Sequence, residues 1–521
     1  MSASKQKKIR QDQTSTGWAN PKTAHEAQAA KDQKRSNLLY TVIAVVFVLV
    51  AIAAVIWRSN ILPKSVTAVT IDGEKYTANE VSFYYQNNFR NFMNENYYTL
   101  AYLGVDMNSP LDSQKIDETT AAFVGATAGQ TWKEFFTDST LEQMASIQAV
   151  LKAAEDEGFV YPDSVQAEYD EAMANLKANA EASKVSEDKY LQSSLGRSMT
   201  AEVYSTHVLR MLQYSAYMDA YRDSLDYTDA DMTAAYEEAP KAYDKVSYES
   251  ITVNGAPEIK KDDEGNPIEA TEEEAAAAKE AAKAAADGML TAFQSGSTLQ
   301  TLADSDEKAS YAETDAAVYT EGNAISEWLF DDARKDGDAA VLENGSSYAL
   351  VVFHTRARET YNTIDVRHIL IRPAVGEKSE GDEGYEEEQA QLMADAKAKA
   401  EEVLDQWKSG AATEDSFAEL AKENSADSNA AQGGIYERVS KGDMVEPFND
   451  WCFDEARKAG DTGIVETDFG YHVMYFVGDN LPKWQADAYN NLLNADFAAW
   501  ADEFGKDYTT DAHGFGMRFV G

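Results

Sequence analysis

Two of the chain's six histidines, His368 and His472, stand at the two ends of a single stretch. Each lies inside an apolar, strand-like run: Ile364-Asp365-Val366-Arg367-His368-Ile369-Leu370-Ile371 at one end, Phe469-Gly470-Tyr471-His472-Val473-Met474 at the other. Between them come the pair Gly433-Gly434, then Met444, Phe448 and Phe453. This arrangement suggests a small α/β domain whose ends meet around a compact apolar pocket. Nowhere else does the chain gather residue types that could do chemistry. Imidazoles at such a pocket could hydrogen-bond around a bound group or ligate a metal, and Asp427 would complete a His-His-Asp ligand set. They could equally be a buried pair satisfying each other in a sheet core. The single cysteine, Cys452, sits between Trp451 and Phe453 and reads as buried and inert, so an intramolecular disulfide is excluded.

The elements that must position these residues belong to a chain of 521 residues, long enough for two to four domains. Hydrophobic residues at 44% and 28 Tyr argue for folded material. A net charge of −44 argues against nucleic acid as a partner, because nothing neutralises phosphates. The charge is uneven. Residues 1–37 carry eight Lys/Arg and three Asp/Glu, a net of +5, so the rest carries −49. Leu38 to Trp57 is a run of twenty uncharged, apolar residues, long enough to span a bilayer as a helix. The basic residues before it place 1–37 in the cytoplasm, 38–58 in the membrane as a signal anchor, and the acidic bulk outside. A cleaved signal peptide is the competing reading.

Residues 65–80 alternate and contain a glycine turn, which predicts a hairpin. From Thr77 to about Lys241 apolar residues recur at helical spacing, with Tyr161-Pro162 and Tyr227-Thr228 marking helix starts. An internal repeat follows. Residues 325–353 (ISEWLFDDARKDGDAAVLENGSSYALVVF) match 448–476 (FNDWCFDEARKAGDTGIVETDFGYHVMYF) without a gap, at a constant offset of 123. Trp328, Phe330, Arg334, Gly337, Asp338 and Phe353 recur as Trp451, Phe453, Arg457, Gly460, Asp461 and Phe476. Each copy opens with a strand (Ser247–Val253; Asp365–Ile371), then an acidic loop and an Ala/Glu/Lys-rich helix. Thr271–Asp287 is low in complexity but high in helix propensity. After Asp479 a helical tail returns, too short to fold alone.

The span 362–479 resembles the parvulin-type peptidyl-prolyl cis/trans isomerases. The resemblance rests on Arg367-His368-Ile369-Leu370, Phe417-Ala418-Glu419-Leu420-Ala421, Ser425-Ala426-Asp427-Ser428 before Gln432-Gly433-Gly434, Lys441-Gly442-Asp443-Met444 through Pro447-Phe448, and Gly470-Tyr471-His472-Val473. It implies that His368 and His472 are the paired central histidines, that Asp427 faces the substrate, and that Thr467 is linked to the histidine pair. It further implies that Met444, Phe448 and Phe453 form the proline pocket, with no cofactor and no metal. Two departures stand out. The loop from Gly376 to Glu387 is acidic, where relatives that read phosphorylated Ser/Thr-Pro are basic. Ile435-Tyr436-Glu437 replaces the usual Asp-Leu-Gly, which puts the local turn in question. In the first copy, Ser250, Ala349 and Ile325 stand where His368, His472 and Phe448 stand, and there is no glycine pair.

The expected architecture is α+β and multidomain. It comprises a cytoplasmic tail (1–37), a transmembrane anchor (38–58), a helical chaperone-like domain (62–242, completed by 481–521), a degenerate parvulin-like domain (243–357) and a parvulin isomerase domain (362–479). This assembly looks like the SurA/PrsA type of extracytoplasmic foldase. Its expected partners are unfolded secreted polypeptides containing X-Pro bonds, and the membrane. The alternative is a non-catalytic holdase that uses both parvulin folds only to bind peptide.

Overall fold

The computed structural model describes residues 41–52, 55, 60–100, 102–261 and 267–521. Of the expected anchor, residues 41–52 and 55 are helical and exposed; 38–40, 53–54 and 56–58 lie outside the described residues, as does the basic tail 1–37. Among the described residues no helix is long and apolar enough to cross a membrane. Two compact units follow: one runs through Ser224 and resumes over Phe497–Gly521, and the other is Leu225–Asp496.

In the first unit, strands Thr67–Ile71 and Glu74–Thr77 form a hairpin. It turns through Asp72 and Gly73, both at positive φ (44° and 86°). Such an Asp-Gly turn matches the right-handed twist of the strands it joins. The C-terminal strand Thr510–Ala512 pairs with the other side of Thr67–Ile71. Thr77 and Glu80 make a reciprocal capping box that starts helix Ala78–Glu95, and Thr131 with Glu134 starts Trp132–Glu157 in the same way. Phe83, Tyr84, Trp132, Phe136 and Met144 fill the core between these helices. Phe497, Trp500 and Phe504 close a second cluster on Val150, Ala154 and Tyr217, with Trp500 stacked on Tyr221 at 3.6 Å.

The second unit holds two four-stranded antiparallel sheets. The first consists of β1 (Asp244–Val253), β2 (Ala309–Ala317), β3 (Ala339–Asn344) and β4 (Ser347–Arg358), in the order β2-β1-β4-β3. The second consists of β5 (Asn362–Ile371), β6 (Ile435–Val439), β7 (Thr462–Thr467) and β8 (Gly470–Pro482), in the order β6-β5-β8-β7. The low-complexity segment is helix α1 (Glu272–Gln294), capped by Thr271 and Glu274, and it buries Ala282, Ala286 and Met289. A second helix, α2 (Ala324–Leu329), packs into a separate cluster of the first sheet with Val351 and Phe353. The second sheet has α3 (Tyr385–Ser409), α4 (Glu414–Asn424) and α5 (Glu446–Cys452). Period-two alternation splits β5 and β8 between two cores. Ile369, Ile371, Tyr471 and Val473 pack under α3 and α4. Ile364, Val366, Met474 and Phe476 pack with Phe448 and Cys452 on the opposite face.

The repeat is structural as well as textual. Ser250 faces Val351 as His368 faces Met474, and Ala349 faces Thr252 as His472 faces Leu370. The turn after each short helix is built alike. Arg334 lies 4.7 Å over Trp328 and Arg457 lies 3.9 Å over Trp451; Gly337 N–H donates to Phe353 O at 2.9 Å and Gly460 N–H to Phe476 O at 2.8 Å. The copies differ at one edge. Strand β2 pairs with β1 as far as Val253, whereas β6 pairs with β5 only as far as Arg367.

Residues 225–242 and 481–496, expected with the helical domain, belong to the second unit instead. Aromatic packing is the reason: Met232, Tyr243 and Ala488 close a small core with Tyr227, Tyr236 and Tyr489. Arg358 adds to it, lying 4.7 Å from the Tyr236 ring and 4.0 Å from that of Trp484.

Candidate active site

Alternation places His368 and His472 on the same face of the second sheet, and the register makes them diagonal neighbours across β5 and β8. Their rings are nearly parallel, with centroids 5.2 Å apart and planes 19° apart, and the two Nδ1 atoms are 3.0 Å apart. Both side chains are buried. Thr467, near the end of β7, is diagonal to His472 in the same way, and its Oγ1 lies 2.8 Å from His472 Nε2.

Asp427 is brought in by the loop after α4, which is stitched to β5 where β6 no longer runs. Leu370 N–H and Asp427 N–H both donate to Ser425 Oγ, at 3.1 and 3.2 Å, and Ala426 N–H donates to Leu370 O at 2.8 Å. The result is Asp427 Oδ2 at 2.8 Å from His368 Nε2. The glycine pair is what lets the loop close. Gly434 has φ +67°, and a Cβ there would lie 2.2 Å from the carbonyl oxygen of His368. Its own carbonyl accepts the His368 N–H at 2.9 Å.

These contacts form one hydrogen-bonded chain whose direction the chemistry dictates. Burial raises the Asp427 carboxyl, but hydrogen bonds from Tyr436 and His368 outweigh it and hold the group below its ordinary range. A carboxylate only accepts, so His368 Nε2–H donates to it and His368 Nδ1 is left to accept. His472 Nδ1–H then donates to His368, His472 Nε2 accepts from the Thr467 hydroxyl, and Thr467 Oγ1 accepts from Phe469 N–H at 3.2 Å. A further proton on His368 would set two N–H groups against each other, and one on His472 Nε2 would force the Thr467 hydroxyl to turn from donor to acceptor. Burial pushes His472 down to about 4, with the His368 ring adding to the effect. Burial also lowers His368, and Asp427 offsets only part of it. Both imidazoles are therefore neutral at pH 7.

The apolar side of the site comes from α5 and its flanks. Phe448 is buried and stands edge-on to both histidines, at 5.4 Å from each ring. Met444 and Phe453 are half-buried in the same cluster. Tyr361 stands edge-on to Phe453 at 6.3 Å, with Lys441 Nζ 5.0 Å from the Tyr361 ring. The structure thus brings together His368, Asp427, His472 and Thr467, and sets Met444, Phe448 and Phe453 in one apolar cluster beside them. Cys452 is buried behind, its thiol pushed up to about 12 by burial. Among the described residues no group of three or more His, Cys, Asp or Glu side chains is placed to hold a metal ion.

Two residues of the site were not singled out from the sequence. Ser425 was legible only as part of a motif, yet it anchors the Asp427 loop. Tyr436 was legible only as a departure from the usual pattern. Its hydroxyl donates to Asp427 Oδ2 at 2.8 Å, and its ring lies 5.3 Å from that of His368.

In the first sheet, Ser250 and Ala349 leave the corresponding face without imidazoles. Phe330 there is fully buried with Leu329, Val351 and Phe353, whereas its counterpart Phe453 is half-buried.

A family model described as the PPIC-type PPIase domain matches residues 348–478. Over 87 residues the chain is 32% identical to Foldase protein PrsA 1 of Listeria innocua serovar 6a, covering 16% of this chain and 28% of that protein. The chain therefore spans little more than a quarter of the curated relative's length. Among solved structures, peptidylprolyl isomerase PrsA from Bacillus anthracis is 22% identical, covering 31% of this chain and 58% of that chain with a TM-score of 0.17. PrsA from Bacillus subtilis is 16% identical, covering 76% and 93%, with a TM-score of 0.27. The paired histidines and the family match fall on the same sheet, and residues 348–478 are similar to the parvulin, or PPIC-type, peptidyl-prolyl isomerase domain.

Proposed function

We propose that the chain is a membrane-anchored, extracytoplasmic foldase. In this reading residues 362–479 isomerise X-Pro bonds in unfolded secreted or surface polypeptides. Residues 243–357 are a catalytically silent copy, and the helical domain 62–242 holds the client. The anchor reading is supported by the uncharged run Leu38 to Trp57 and the basic residues before it.

The observation that carries the catalytic reading is the directed chain Asp427–His368–His472–Thr467 lying against Phe448. Prolyl isomerisation breaks no covalent bond; its barrier of about 20 kcal/mol is lost amide resonance. A site lowers it by binding the twisted amide better than either planar form. Met444, Phe448 and Phe453 would grip the ring and strip water from the carbonyl. The fully bonded polar chain beside them, a carboxylate with two neutral imidazoles and a hydroxyl, would supply a fixed field around the rotating bond. Asp427 acts here by charge and hydrogen bonding rather than as a nucleophile. The test is a protease-coupled assay of an X-Pro peptide with the full chain. Acceleration of the slow cis phase is the expected result; its absence with a folded protein would exclude the enzyme.

A holding activity is favoured by a separate observation on the helical unit: Tyr97, Tyr98, Tyr102 and Phe123 are between 69% and 96% exposed. Suppression of aggregation of a denatured client by an isomerase-inactive variant would establish it. Digestion of the acidic bulk by protease added outside intact spheroplasts would establish its location.

A further inference from the structure

We propose that Tyr436 is a positioning residue of this site: its hydroxyl, bonded to the carboxylate oxygen that His368 also uses, fixes the direction of the whole hydrogen-bonded chain. The inference rests on the isomerase reading above and goes beyond it by assigning a residue where the family pattern has an apolar one.

Tyr436 lies on β6 opposite Val366, two residues past Gly434. Its hydroxyl and His368 Nε2 both lie 2.8 Å from Asp427 Oδ2. With two donors on one oxygen, a proton cannot reside there. That matters because the chain could in principle run backwards. A protonated Asp427 would donate to His368 Nε2, His368 Nδ1–H would donate to His472, and His472 Nε2–H would donate to Thr467. The tyrosine hydroxyl makes that arrangement unfavourable, since charge-assisted bonds to a carboxylate are about twice as strong as neutral ones. The titratable groups facing Asp427 are His368 on β5, Tyr436 on β6 and, through His368, His472 on β8. Its own loop adds the hydroxyl of Ser425 and the backbone N–H of Ser428, and α5 presents Phe448 to the His368 ring. Burial and Asp427 push the Tyr436 phenol up to about 12, so it stays a donor throughout the working range.

The experiment compares the full chain with Tyr436→Phe and Tyr436→Leu. The six histidines allow the His368 ring to be followed by carbon-13 labelling and NMR, beside the pH profile of kcat/KM. Tyr436→Phe keeps the ring over His368 and removes only the hydroxyl. It should lower kcat about three- to tenfold at nearly constant KM, move the acid limb up by about one pH unit, and shift the His368 titration in parallel. A Tyr436→Phe enzyme whose acid limb and His368 titration both match wild type overturns the proposal. If in addition only Tyr436→Leu is impaired, Tyr436 is a pocket wall and nothing more. No turnover in the folded wild-type chain overturns the isomerase reading and this proposal with it.

Discussion

Ser250 holds in the first sheet the position that His368 holds in the second: the former faces Val351 and the latter Met474, at the same register of the same strand pair. The partner position is Ala349 in one copy and His472 in the other. The scaffold therefore closes around a small pair as well as around two imidazoles, and the second copy can be asked to do the same.

Replacing His368→Ser and His472→Ala together should leave the chain folded, with a loss of about 2–4 kcal/mol from the buried volume removed. Turnover should fall at least about tenfold, since the field around the rotating bond is lost. Circular dichroism, urea unfolding and the peptide assay on the same preparation check this. Unchanged turnover would reduce the histidines to packing.

The pocket residues separate by burial. Met444 is half-buried, and Met444→Ala should cost about 1–2 kcal/mol of stability while lowering kcat/KM by about tenfold. Phe448 is 2% exposed, so Phe448→Ala should cost about 3–5 kcal/mol and cannot be read from activity alone. Unfolding midpoints set beside kcat/KM for both variants distinguish wall from core.

Acid should act on the two sheets in opposite senses. His472 is held down to about 4 from 6.5, so the unfolded chain takes up its proton first. The stability it contributes is present above pH 6.5 and is lost as pH falls towards 4. His354, on β4, is the reverse. Burial pushes it down, but Asp336 and Glu249, at 3.2 and 2.9 Å, outweigh burial and raise it. Its contribution is present below about 6.5 and fades as pH rises through the raised value. Urea unfolding at several pH values, with His472→Gln and His354→Gln as references, reads each slope.

Two glycines at positive φ should respond very differently to alanine. At Gly434 the new Cβ would meet the His368 carbonyl at 2.2 Å, whereas at Gly442, φ +90°, it meets nothing within 4 Å. Gly442→Ala should cost about 1–2 kcal/mol of backbone strain. Gly434→Ala should cost clearly more and abolish turnover, because the strand carrying His368 must move. Equal costs would show that the loop can yield.

Much of this was legible in the sequence because it is periodic or repeated. The two strand-like runs place His368 and His472 in strands at the two ends of one domain, and the constant offset exposes the second scaffold. The capping pairs Thr271–Glu274 and Thr131–Glu134 announce their helices locally. What stayed hidden depends on contacts distant in sequence. Tyr436 reaches Asp427 only because the glycine pair folds the loop against His368. Phe448 and Met444 look alike as apolar letters, and only packing separates a buried ring from a half-exposed thioether. The boundary near residue 225 is set by tyrosines and a tryptophan that meet from opposite ends of the second unit.

The shortened edge strand explains why the first copy is more than the second with two histidines changed. From Thr298, which caps the short helix Leu299–Ala303, to Glu313, opposite Glu249, the first copy uses fifteen residues; from Thr413, which caps α4, to Ile435, opposite Arg367, the second uses twenty-two. The seven additional residues lengthen α4 and free the chain that supplies Ser425, Asp427 and Gly434. In the first copy that rim is occupied by paired backbone, with Ala312 opposite Ser250 and Ser310 opposite Thr252. A carboxylate has no route in. Chain length at this rim, more than the identity of any single side chain, decides which of the two sheets receives a carboxylate-bearing loop.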